Sequence, residues 1–210
     1  ISGGLVGSEM CIRDRDRTIS WFNKRGITEA TLVHWKIGES VEYFPQVDKR
    51  RKAINFNYYK ENKLINVKYR DGEKNFKMVS NAELIFYGLD NIKIMDDIYI
   101  VEGEMDALSL HESGIYSVCS VPNGASKGNQ RLDYLDNCFE YFENKHKIIF
   151  GTDNDEAGLT LRNELARRFG YYKCKYVDFG DYKDANEVLV QKGSETLRNI
   201  LKEAKDFPLE

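Results

Sequence analysis

From Ile98 onward the chain alternates short apolar runs with helical periods, and this alternation restricts the fold more than any other feature of the sequence. Ile98-Tyr-Ile-Val101 is a run of strand type, followed by a helical pattern over Met105 to Glu112. Ser117 to Val121 and Leu132 to Phe142 repeat the pair, and Lys147-Ile-Ile-Phe150 precedes a stretch in which Leu161, Leu165, Ala166 and Phe169 recur at helical spacing. Tyr172 to Phe179 is a fourth strand. Strands separated by helices in this way pair in parallel through right-handed crossovers, which predicts an α/β sheet with helices on both faces. Ala185 to Leu189 and Thr196 to Ala204 read as helices, and Asp206 to Glu210 as the beginning of a linker.

The upstream half has a different period. Val41 to Phe44, Ala53 to Tyr59, Leu64 to Arg70 and Asn75 to Met78 are aromatic or β-branched runs separated by turn residues, which predicts an antiparallel meander. Before it, Ile19, Phe22, Leu32 and Trp35 suggest two short helices broken at Gly26-Ile-Thr28, with Thr28 placed to cap the second. Leu5-Val-Gly-Ser-Glu-Met-Cys-Ile-Arg-Asp-Arg15 has neither an apolar period nor turn chemistry, and it matches the translation of a tagmentation sequencing adapter residue for residue. Residues 1–15 are therefore set aside as adapter-derived, and the true N-terminus is expected to be missing. The expected organisation is a basic subdomain over 16–95, an α/β domain over 96–190, and a C-terminal helix with the start of a linker over 191–210.

Composition adds exclusions. No apolar run approaches the roughly 20 residues of a membrane helix, and no signal-peptide pattern is present, so a soluble chain with no membrane partner is expected, in the cytoplasm of a bacterium or of a bacterial host. Cys11, Cys119, Cys138 and Cys174 form no Cys-x-x-Cys pair and are expected as buried thiols rather than zinc ligands. The net charge of −3 is uninformative, but its distribution is uneven. Residues 16–95 carry 15 Lys and Arg against 10 Asp and Glu, a balance of +5, whereas residues 96–210 carry 14 against 22, a balance of −8. A basic module beside an acidic one suits a polyanion-gripping surface next to a metal-holding site, although an ordinary uneven surface has the same signature. The Lys49-Arg-Arg-Lys52 cluster is read as a solvated strand face.

Gly151-Thr-Asp-Asn-Asp-Glu-Ala-Gly158 lies on a strand-to-helix turn, so Asp153 and Asp155 belong to the carboxyl edge of a sheet, where open α/β folds bind ligands. Two carboxylates one residue apart suit a hard divalent cation. They suit equally an Asx-type turn and an acidic helix start, and on these residues alone both readings stay open. Val101-Glu-Gly-Glu-Met-Asp-Ala-Leu108 places Glu102 at the same edge after another strand. Acids converging from two strand ends repel unless a cation neutralises them, which favours the metal.

These motifs, Glu102-Gly103 with Asp106 and Asp153-Asn-Asp155 with Gly158, resemble the Toprim domain shared by primases and topoisomerases. Ser120-Val-Pro-Asn-Gly-Ala-Ser-Lys127, Lys183-Asp-Ala-Asn-Glu187 and the basic Val67-Lys-Tyr-Arg-Asp-Gly-Glu-Lys-Asn-Phe76 extend the similarity to the primase half of phage-type and mitochondrial-type primase-helicases, over roughly residues 16 to 205. The resemblance implies an α/β fold, α+β overall, in which a Toprim parallel-sheet domain follows a small antiparallel β-rich subdomain. It implies a nucleotidyltransferase that makes RNA primers from ribonucleoside triphosphates on a single-stranded DNA template. In such an enzyme Glu102, Asp153 and Asp155 would hold Mg²⁺, or Mn²⁺ in its place, and act in catalysis. Asp106 and Asp184 would be additional metal-site acids. Lys68, Arg70 and Lys74 would grip nucleotide phosphates or template, and Asn123, Gly124 and Lys127 would lie near the nucleotide. Glu104 stands where many Toprim proteins carry an aromatic residue, whereas phage-type members also carry an acid there. A helicase domain in the full-length chain is a possible partner. The other expectations are a non-catalytic Toprim module that binds DNA or regulates a helicase, and a Toprim nuclease.

Overall fold

The computed structural model describes residues 15–125 and 132–208. The adapter-like segment up to residue 14, Cys11 and Lys127 lie outside them. The described chain begins with helix α1 (residues 15–23) and α2 (Glu29–His34). An antiparallel sheet follows: β1 (Gly38–Phe44), β2 (Lys49–Lys60), β3 (Lys63–Asp71) and β4 (Phe76–Met78), in that spatial order. This is the meander the alternation predicts. Its β2–β3 hairpin turns at Glu61 and Asn62, both with positive φ, the geometry that matches strand twist in a two-residue loop. The N–H groups of both turn residues donate to the Asp90 carboxylate at 2.7 and 2.8 Å, which docks the hairpin tip on α3 (Leu89–Ile92).

The second sheet is built from β5 (Asp97–Val101), β6 (Val118–Ser120), β7 (Lys147–Gly151), β8 (Cys174–Tyr176) and β9 (Lys205–Asp206). Its order is β6-β5-β7-β8-β9, with the first four strands mutually parallel and β9 antiparallel on β8. Ile98 to Val101 and Ile148 to Gly151 are buried on both faces, as the unbroken apolar runs require. The connecting helices are α4 (Glu104–Glu112), the short α5 (Asp133–Asp136) and α6 (Glu156–Phe169), and α7 (Ala185–Lys202) follows β8. From β5 the chain crosses through α4 to β6 on one side, whereas from β7 it crosses through α6 to β8 on the other. The crevice outside the carboxyl ends of β5 and β7 is therefore the switch point of the sheet.

Three expectations need revision. Leu132 to Phe142 is not one helix: α5 stops at Asp136, Cys138 leaves helical geometry at φ −129°, and Asn137 turns its amide to the Leu84 carbonyl at 2.8 Å. Thr28 precedes α2 but does not cap it with its side chain; its N–H and hydroxyl both donate to Glu112 Oε1 at 2.7 Å, fastening the N-terminal helices to α4. Of the segment read as the start of a linker, Asp206 pairs in β9 and Phe207 is buried against Phe150 and Tyr176, while residues 209–210 lie outside the described residues. The two helices expected after Ala185 are both present within the α7 range, separated at Gly193, whose φ of +84° and ψ of 172° are not helical. Cys119, Cys138 and Cys174 are buried thiols. Among the described residues no helix is long and apolar enough to cross a membrane.

The two sheets share one core. Phe56 and Tyr58 of β2 pack on Tyr87, which also stacks on Trp35 with ring centroids 4.9 Å apart and bridges to Ser120 of β6. Where α2 meets α4, the His34 and His111 rings lie 4.5 Å apart, beside Trp35, Tyr116 and Glu112. Burial, and then the neighbouring His34, hold His111 down to about 4. Between that value and the ordinary 6.5 the unfolded chain binds more protons than the folded one, so stability rises with pH across the window. Acidification through it should lower the melting temperature, and His111→Gln should flatten the slope. A melting profile indifferent to the substitution would contradict this assignment.

Candidate active site

Parallel pairing sets Val101 opposite Gly151, so the next residues beyond the strand ends are Glu102 and Thr152-Asp153. Glu102 is clamped there by two backbone donors: Ala125 N–H reaches Oε1 at 3.1 Å and Asp153 N–H reaches Oε2 at 3.2 Å. Gly124, with φ +66°, carries the loop past this carboxylate, and a Cβ built on it would lie 4.0 Å from Glu102 Oε1. Asp155 is the N-cap of α6, its Oδ1 accepting from Gly158 N–H at 2.9 Å. The helix-start reading of that residue is thus realised in the structure. Gly158 is required by contact, since a Cβ there would stand 2.2 Å from the Asp153 carbonyl oxygen.

Asp106, on the first turn of α4, is buried beside this edge, where its Oδ1 accepts from Asn186 N–H at 3.1 Å. Asp184 caps α7 through Glu187 N–H at 2.8 Å. Burial, then the charges of Asp184 and Asp153, hold the Asp106 carboxyl well above the usual range. Burial followed by Asp153 raises Glu102, and burial raises Asp153 against the opposing pull of Lys183. The Lys183 ammonium lies 2.7 Å from Asp153 Oδ2 and 3.9 Å from Asp184 Oδ2. The edge therefore gathers carboxyl groups whose ionised forms are disfavoured by burial and by one another.

The opposite wall is the antiparallel sheet. Lys68 of β3 donates to Glu104 Oε1 and to the Pro122 carbonyl, both at 2.8 Å, and Glu104 also accepts from the buried Tyr58 hydroxyl. Glu104, 5% exposed, is thus the buried anchor that aims a lysine across the cleft. Phe76 lies beside Lys68, its ring centroid 5.3 Å from the ammonium, and is 45% exposed at the lip. The resulting cleft, about 620 Å³, brings together Lys68, Phe76, Glu102, Glu104, Asp106, Asn123, Gly124, Asp153, Lys183 and Asp184.

Of the residues nominated from the sequence, Asp155, Arg70 and Lys74 do not line this cleft. Arg70 is nearly buried and faces a separate groove, its guanidinium over the Trp21 ring at 4.6 Å. Lys74 is exposed, at positive φ, on the β3–β4 turn that Asp71 organises by accepting from Glu73 and Asn75 N–H. Lys183, Glu104 and Asn154 carry contacts for which local sequence had no assignment. Asn154 N–H donates to the Lys183 carbonyl and its amide to the Gly180 carbonyl, each at 2.8 Å, bolting the β8–α7 loop to the acidic turn.

The donor set fits a hard cation by its chemistry, because carboxylates alone face the cleft from β5, β7 and α4. Among the described residues no three of them form a ready-made ligand set.

Residues 99–189 match the Toprim-like family. They form a Toprim-like domain. The chain is 36% identical over 174 residues to the primase homolog protein of Arabidopsis thaliana, covering 75% of this chain and 52% of that protein. It is 30% identical over 216 aligned positions to the Twinkle homolog protein, chloroplastic/mitochondrial, of the same plant, covering 92% of this chain and 29% of that protein. The chain thus spans about half the length of the first relative and less than a third of the second. The primase fragment of the bacteriophage T7 primase-helicase protein superposes with a TM-score of 0.72 at 25% identity, over 85% of this chain and 71% of that one. The Toprim-like domain and the antiparallel sheet before it make up a primase-type fold.

In that fold Gly158 lets α6 close onto the Asp153 backbone. Gly158→Ala should cost about 3 kcal/mol, at the upper end of overpacking, because the obstructing atoms are main chain. Urea unfolding checks this; an alanine variant as stable as wild type would show that the turn can relax.

Proposed function

We propose that this chain is the catalytic core of a DNA primase, joining ribonucleotides into short RNA primers on single-stranded DNA, within a longer primase-helicase. The observation that carries the proposal is the Glu102 clamp, which fixes one carboxylate against the backbone of Asp153 at the switch point, facing Lys68 across the cleft. Glu102, Asp153 and Asp155 would hold Mg²⁺ or Mn²⁺, with Asp106 and Asp184 as flanking acids. When bound, the ion would supply positive charge to the triphosphate and make the primer hydroxyl a better nucleophile.

The chain's own groups have separable tasks. The Ala125 and Asp153 N–H groups hold Glu102 in one orientation, so its oxygens need no reordering when substrate arrives. Lys68, positioned by Glu104 and the Pro122 carbonyl, offers a cation to nucleotide phosphate or template from the opposite wall. Asn123 and Gly124 line the cleft on the nucleotide side, and Lys127 belongs to the same loop beyond the described residues. Arg70 and Lys74 would contact template outside the cleft. The relatives' names support this reading: one is a primase homolog, another a Twinkle homolog, and the fold neighbour is part of a primase-helicase. The reading as a non-catalytic Toprim module draws on one observation, the pairing of Asp153 with Lys183.

The test extends a supplied short RNA on single-stranded DNA with Mg²⁺ or Mn²⁺. Asp153→Asn should abolish extension while leaving DNA affinity at the wild-type level or higher, since it removes a negative charge beside a polyanion. Lys68→Ala should weaken nucleotide or template binding and reduce the salt slope by about 1. Because it leaves buried Glu104 without its cation, Lys68→Ala/Glu104→Gln separates lost charge from lost stability. Wild-type protein that binds DNA yet extends nothing with either ion would support the non-catalytic reading.

A further inference from the structure

The acidic edge already holds a cation. Lys183 places its ammonium 2.7 Å from Asp153 Oδ2, and among the described residues no other ion pair reaches Asp153. The backbone that carries it is fixed: its carbonyl accepts from Asn154 N–H at 2.8 Å, its N–H donates to Glu187 Oε2 at 2.6 Å, and Gly180 of the same loop is held by the Asn154 amide. The side chain itself is 61% exposed, so it is anchored at the base and free to swing at the tip. Asn154 thus has a definite task, since the residue between Asp153 and Asp155 bolts down the loop that brings the lysine back to Asp153. Lys68 and Lys77, the other described cations lining the cleft, are paired instead with Glu104 and Glu42, each at 2.8 Å.

A divalent cation on the Asp153 carboxylate would sit beside the ammonium already on Oδ2, and the two positive charges repel. We propose that Lys183 is a resident counter-ion that holds the place of the divalent cation at Asp153, leaving when the metal binds and thereby setting the metal concentration at which the site fills. This rests on the metal-dependent reading above. It assigns Lys183 as a positioning residue, one that keeps the acids assembled without metal and competes with metal for them.

The test measures Mn²⁺ binding by the paramagnetic resonance signal of the free ion, for wild type, Lys183→Met, Lys183→Arg and Asp153→Asn. Removing a competing unit charge should tighten Mn²⁺ binding by about three- to tenfold in Lys183→Met. Lys183→Arg, which keeps the charge, should bind as wild type or more weakly. Mn²⁺ should also raise the melting temperature of Lys183→Met more than that of wild type. A second readout needs no variant: acetylation of Lys183 in the wild-type protein, followed by mass spectrometry, should increase when Mn²⁺ is added. Unchanged or weaker binding in Lys183→Met, or Lys183 reactivity indifferent to Mn²⁺, would overturn the proposal. If instead wild type binds no Mn²⁺, or Asp153→Asn binds as well as wild type, the metal reading fails and this inference fails with it.

Discussion

The parallel pairing of β5 with β7 is the constraint on which the rest of the structure depends. Because Val101 lies opposite Gly151, the residues that follow each strand emerge side by side, and Glu102 can accept from the backbone of Asp153. Their connections then diverge, through α4 to β6 and through α6 to β8, which leaves the crevice open. A one-residue slip in this register would reverse which side chains face each surface of the sheet and would separate the two acids. The register is reinforced at the amino edge. Lys145 is buried with its ammonium donating to the carbonyls of Ile92, Lys93 and Met95, while His146 N–H reaches the Asp96 carbonyl and Lys147 pairs with Asp97. The strands are thus pinned at the edge away from the chemistry.

The antiparallel sheet is the second half of the same device. It is joined to the parallel sheet by the shared aromatic core around Tyr58 and Tyr87, by the hairpin tip on Asp90 and by the Lys68–Glu104 pair. The pair has a structural and a chemical side. Burying Glu104 is tolerable only because Lys68 and Tyr58 satisfy it, and the same contacts fix the lysine toward the cleft. The uneven charge along the chain becomes spatial here, as a cation-bearing wall faces an acid-bearing edge.

Much of this was legible in the sequence because period carries element type. The apolar runs at 98–101 and 148–150 announced buried parallel strands, and the alternation from Val41 to Met78 announced the meander. The acids at 102 and 153 were legible because each lies within three residues of the end of such a run. What was not legible depends on contacts distant in sequence. Glu104 meets Lys68 and Tyr58, 36 and 46 positions away on the other sheet, so no local pattern marks it as an anchor. Lys183 and Asn154 meet across a loop whose path only the fold defines. Asp155 had two readings, cap or ligand; it caps α6 through one oxygen, and its role as a ligand stays part of the proposal; Arg70 and Lys74 share a basic motif with Lys68, yet strand and turn geometry directs them to other surfaces. The break at Cys138 and the strand at Lys205–Asp206 reflect packing rather than propensity, which short elements with few apolar residues cannot reveal.

The central claim is that the carboxyl edge of β5 and β7 is a divalent-cation site. The most direct measurement is a crystal of this protein soaked in Mn²⁺ and recorded at a wavelength where manganese scatters anomalously. An anomalous peak between Glu102 and Asp153, with the Lys183 ammonium withdrawn from Asp153, is the predicted result. Density that leaves the Lys183–Asp153 pair intact, with no manganese at this edge, would contradict it.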